Sequence, residues 1–135
     1  MNPTSSTPPA FGSTPSAARS PVPLTALVGV PPKAVIDHRT YTIALRKMPE
    51  FLDTFQRLAM PVLMQTLGHP LGFYTSWVGP QNQFIHLWGY DDLADYERRS
   101  RARDAHPEFA AYLTASGSLI VSQETRLIRA VTLAT

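Results

Sequence analysis

The stretch 71–93, LGFYTSWVGPQNQFIHLWGYDDL, decides how this chain is read. It holds two β-rich runs, 71–78 and 83–90, separated by Gly79-Pro80-Gln81-Asn82. A loop of glycine, proline and asparagine between such runs predicts a β-hairpin. In the second run Phe84, His86, Trp88 and Tyr90 share one face, with Ile85 and Leu87 on the other. Both faces therefore look buried. Asp91 or Asp92 can cap a helix that starts directly afterwards.

Upstream, residues 34–45 alternate as a strand, with Val35, Asp37, Arg39, Tyr41, Ile43 and Leu45 on one face. Residues 47–68 switch to helical spacing, in which Phe51, Phe55, Leu58 and Val62 recur at four, three and four. Gly68 and Pro70 end that helix, and Pro61 within it should kink or shorten its last turn. Downstream, a mostly polar helix covers 93–104, with Leu93, Tyr96 and Ser100 turned inward. A second short helix opens near Pro107, carries Phe109, Tyr112 and Leu113, and ends at Gly117. A last strand over 119–131 places Gln123 and Thr125 on one face and Glu124 and Arg126 on the other. The order β-α-β-β-α-β is the ferredoxin-like α+β arrangement, a four-stranded antiparallel sheet covered by helices on one side. The two-sided strands leave an apolar second face, which predicts a homodimer packed sheet to sheet.

Size and charge narrow the rest. The chain has 135 residues, with 44% apolar and 16% charged residues, no cysteine, and 12 Lys+Arg against 10 Asp+Glu. That suits one domain with a real core and excludes a disulfide scaffold or a cysteine nucleophile. A balance this even speaks against nucleic-acid binding, and no apolar run is long enough to span a membrane. Eight of the 13 prolines lie before residue 33, and residues 1–36 carry Arg19 and Lys33 but no acid. Residues 1–33 are accordingly expected to form a disordered Pro/Ser/Thr-rich tail, with the folded domain over 34–135. The expected location is cytoplasmic, or mitochondrial if the tail serves as a transit peptide.

The domain resembles the NIPSNAP family of the dimeric α+β barrel superfamily. The resemblance is carried by His38-Arg39-Thr40-Tyr41-Thr42 and by Gly79-Pro80-Gln81-Asn82-Gln83. It continues through 85–95, with its His-x-Trp and Tyr-Asp, and then Val121-Ser122-Gln123-Glu124. It implies the fold and dimerisation far more than a reaction, because the family has no settled activity. Related barrel families use the interior for small-molecule chemistry, an implication that rests on the fold alone.

Few residues point to chemistry. Arg39 and Tyr41 share a strand face about 7 Å apart. A buried arginine needs an anionic partner, and Glu124 on the last strand is the expected one unless a ligand carboxylate or phosphate takes that place. His86, between Phe84 and Trp88, is the candidate general base or ligand contact. Arg39, Tyr41, His86, Trp88 and Glu124 thus form the candidate ligand-binding set, with no cofactor expected. Histidines 38, 69, 86 and 106 have no ligand spacing, so no metal site is expected. The run Arg98, Arg99, Arg101 and Arg103 reads as a solvated helix face, since acids interleave with it. Two classes remain open: a homodimer that binds a small molecule or a partner, and an oxygenase- or isomerase-like enzyme working in the barrel interior.

Overall fold

The computed structural model describes residues 33–134. Strand β1 (Val35–Ile43) leads into a long helical rod made of α1 (Met48–Thr54), a π-helical turn (Phe55–Ala59) and α2 (Met60–Thr66). The hairpin strands β2 (Pro70–Thr75) and β3 (Gln83–Tyr90) follow, then α3 (Leu93–Ala105), α4 (Phe109–Ser116) and β4 (Ile120–Arg129). The sheet order is β2-β3-β1-β4, with every pairing antiparallel. This is the ferredoxin-like α+β fold expected from the sequence. The tail expected over 1–33 lies, apart from Lys33, outside the described residues.

Pro61 does not shorten the end of the rod, which stays helical to Thr66. A proline has no N–H to give the carbonyl four residues back. The turn before it widens instead, and the Met60 N–H reaches the Phe55 carbonyl five residues back. The rod then runs on to Gly68, whose φ of 89° turns the chain towards β2. The hairpin loop is also longer than its turn chemistry suggests. β2 stops at Thr75, the Ser76 N–H donates to the Gln83 carbonyl, and Trp77 and Val78 stand in solvent.

The helices cover one face of the sheet. Phe51, Phe55, Leu63, Leu67 and Tyr112 pack on Tyr41, Ile43, Phe84, Trp88 and Tyr90, all of them buried. Each large side chain removed from water here contributes about 1.5–3 kcal/mol. Asp92 caps α3 by accepting from the Asp95 N–H at 2.7 Å, and Asp95 reciprocates by accepting from the Asp91 N–H at 3.0 Å. That bond leads the effects that hold the Asp95 carboxyl below its ordinary range, with Arg99 and Arg98 adding to it against the opposing effect of burial. One inward assignment fails. Leu93 is exposed, because α3 presents Tyr96 to the core.

Candidate functional site

The covered face of β1 and β3 carries most of the candidate residues. The register sets Arg39 beside His86, Asp37 beside Trp88, and Tyr41 beside Phe84. Tyr41, His86 and Trp88 are buried, and the Tyr41 and His86 ring centroids lie 4.8 Å apart. The expected Arg39–Glu124 pair does not form. Glu124 stands beside Thr40 in the register, on the outer face of the sheet and exposed to solvent. The Arg39 Nε donates instead to Asp37 Oδ2 at 2.8 Å, two residues along the same strand. Asp37 is fully buried. Burial opposes the charge on Arg39, but Tyr41 and Asp37 outweigh it, so the guanidinium is held above its already high pKa.

His86 is brought into this cluster as a neutral donor. The Trp88 Nε1–H donates to His86 Nδ1 at 2.9 Å, which leaves the imidazole proton on Nε2. Burial, followed by the charges of Arg39 and Arg103, pushes the His86 pKa down to about 3. Such a ring is a poor general base at neutral pH but a sound hydrogen-bond donor.

Among the described residues, six buried side-chain atoms have no hydrogen-bond partner within the chain: Asp37 Oδ1, His86 Nε2, Tyr90 OH, Ser100 Oγ, Arg103 Nη1 and Tyr112 OH. Ser116 approaches the Tyr112 hydroxyl without a hydrogen bond of good geometry. All but Asp37 Oδ1 can donate. Five of these residues, all but Ser100, are linked electrostatically to one another or to Arg39. Arg103 acts on both His86 and Tyr90, Asp37 acts on Tyr90, and Arg39 acts on Tyr90 and Tyr112. Burial raises the pKa of both tyrosines, with Asp37 adding to the effect at Tyr90 and Tyr41 at Tyr112. Both hydroxyls therefore keep their protons. The result is an interior with two guanidiniums, one carboxylate and several idle donors, suited to the acceptor end of a small molecule.

Arg103 corrects the reading of its helix. Arg98 and Arg101 do face solvent, paired with Asp95 and Glu97. The Arg103 side chain is only 13% exposed, however, and its guanidinium lies over the Phe109 ring. The sequence held a signal for this, because Tyr96, Ser100 and Arg103 recur at four and three along the inward stripe. Asp37 and Tyr112 were legible only by their places on a strand face and on a short helix. Among the described residues no group of three His, Asp or Glu could hold a metal ion, and no helix is long and apolar enough to cross a membrane.

Comparison with known proteins places this geometry in context. The family model for NIPSNAP matches residues 36–134. A NIPSNAP-like domain protein of Burkholderia xenovorans superposes with a TM-score of 0.68 at 30% identity, covering 71% of this chain and 84% of its own. A NIPSNAP family protein of unknown function from Agrobacterium tumefaciens gives a TM-score of 0.70 at 23% identity, over 73% and 88%. A candidate antibiotic biosynthesis monooxygenase from Caulobacter crescentus gives 0.52 at 16% identity, over 73% and 92%, and shares the fold alone. No curated protein matches the sequence.

Proposed function

The chain belongs to the NIPSNAP family, and on that premise we propose that it is a homodimeric small-molecule-binding protein of the cytoplasm. Its interior around Arg39, Tyr41, His86 and Trp88 takes the acceptor group of a ligand. One observation carries this reading: the cluster of buried donors without partners around two guanidiniums. A purely structural interior pairs such groups off, because each idle buried donor costs about 1–3 kcal/mol. Glu124 belongs to the other half of the proposal. It lies on the outer sheet face with Arg126, two residues away, and both are exposed. A two-fold axis near Thr125 brings opposite charges together across two copies, over a face that also offers Ile36, Ile85, Leu87 and Ile128.

The enzyme reading finds support in the fold shared with a candidate monooxygenase. It is weakened by the low basicity of His86, its expected base. Native mass spectrometry of the protein from its own source tests the proposal. Expected is a dimer carrying a small molecule that is released when Arg39 and Arg103 are replaced by Met. A clean monomer with no added mass overturns it.

A further inference from the structure

Behind the aromatic wall of this interior lies a cleft. Phe55, Phe73 and Phe84 surround the His86 imidazole, with ring centroids 5.3, 6.4 and 5.2 Å from it. The same three rings line a cleft of about 570 Å³ whose other walls include Leu52, Met60 and Met64. That volume falls within the roughly 300–1,000 Å³ of small-molecule sites. The cleft lies along the π-helical turn that the rod adopts ahead of Pro61, and Gln56 of that turn is the one polar side chain lining it. Its floor, Phe55 and Phe84, is buried, while Leu52, Met64 and Phe73 stand partly in solvent at its rim. Three large apolar side chains kept open to water around a concave space mark a binding surface, and unbranched methionines can re-pack around different shapes.

We infer that this cleft binds the apolar body, a ring or an acyl chain, of a small organic acid whose carboxylate is directed past the phenylalanine wall to the Arg39 cluster. The carboxylate half of this statement rests on the ligand-binding reading above; the cleft half does not. The two regions divide the work by chemistry. One offers hydrocarbon and a single amide, the other offers guanidiniums, hydroxyls and an imidazole N–H, and the rings of Phe55, Phe73 and Phe84 line the first and lie against His86 of the second.

The test uses the full chain and two probes: N-phenyl-1-naphthylamine, an uncharged fluorophore that brightens in apolar surroundings, and decanoate, a chain with a carboxylate. Expected is saturable fluorescence that decanoate displaces. Met64→Glu and Leu52→Glu, both at the exposed rim, should each weaken the fluorophore about tenfold or more. Arg103→Met should weaken decanoate and leave the fluorophore unchanged. Fluorescence that does not saturate, or that both rim variants leave unchanged, overturns the cleft. Rim variants that turn a dimer into monomers also overturn it, by assigning the cleft to a second copy. Loss of the fluorophore in the rim variants, with decanoate indifferent to Arg103→Met, keeps the cleft and overturns the acid and the interior reading together.

Discussion

Strands β3 and β4 flank β1 with equally regular antiparallel pairing, yet their surroundings are opposite. On β3 the side chains of Phe84, His86, Trp88 and Tyr90 are all buried and even Ile85 and Leu87 are half-covered. On β4, Val121 to Arg129 is exposed on both faces, including Val121, Leu127 and Ile128. Backbone pairing is therefore silent about burial. The width of the helical layer decides it, and the helices reach across β1 and β3 but not to β4. Polar groups are enclosed on the covered side and apolar groups are left bare on the other. This reversal of the usual distribution is what the proposed ligand interior and the proposed dimer face each rest on.

Breaking the covered side should have the largest effect. Arg39→Leu leaves the buried Asp37 carboxylate without its 2.8 Å partner. The expected loss is about 3–5 kcal/mol in urea unfolding. Arg129→Leu, exposed at the end of the edge strand β4, should change stability by less than about 0.5 kcal/mol. Equal losses for the two would remove the contrast between the strands.

The next effect reads the enclosure of His86 through pH. Its folded pKa of about 3 lies below the ordinary 6.5, so the unfolded chain binds the extra proton first. The stabilisation is complete above pH 6.5 and drains away as pH falls towards 3, by up to about 1.4 kcal/mol per pH unit. His86→Gln can still accept from Trp88 and should flatten that part of the curve. A slope unchanged in the variant means that His86 is not held neutral by its surroundings.

A smaller effect tests the helix that brings Arg103 to the cluster. Asp92→Ala removes the side chain that receives the Asp95 N–H. About 1 kcal/mol of stability should go with it, read as a shift in the urea midpoint at constant slope.

Much of this was readable beforehand, and the misses have separate physical causes. The parity of β1 put Arg39 with Tyr41, and that of the 83–90 run put His86 with Trp88, because alternation is local; that the two pairs share a face came only with the register. The partner of Arg39 was not readable, because strand parity gives the face of Glu124 only once the register with β1 is known, and register depends on the whole sheet. Arg103 was misread for another reason. Its charge was weighed against neighbouring acids, whereas its position on the helix, in line with Tyr96 and Ser100, carried the information. The widened turn at 55–59 answers Pro61, yet nothing local distinguishes a shortened helix end from a widened turn.

The uncovered side gives the smallest change in stability and the clearest change in assembly. Ile128 sits beside Ile36 on the outer face, 42% exposed, so a carboxylate there meets water in a single copy. Ile128→Glu should therefore move the stability of the separated chain by less than about 0.5 kcal/mol. Buried between two sheets, the same carboxylate would be desolvated twice over, once from each copy, with only the Arg126 side chains near enough on β4 to answer it. Sedimentation should accordingly find the unaltered chain dimeric and Ile128→Glu monomeric at the same micromolar concentration. If both sediment as dimers, the copies meet elsewhere and the bare face of β4 serves something other than a second copy. If both are monomers, the apolar face is open in solution, and the contrast between β3 and β4 belongs to a single chain.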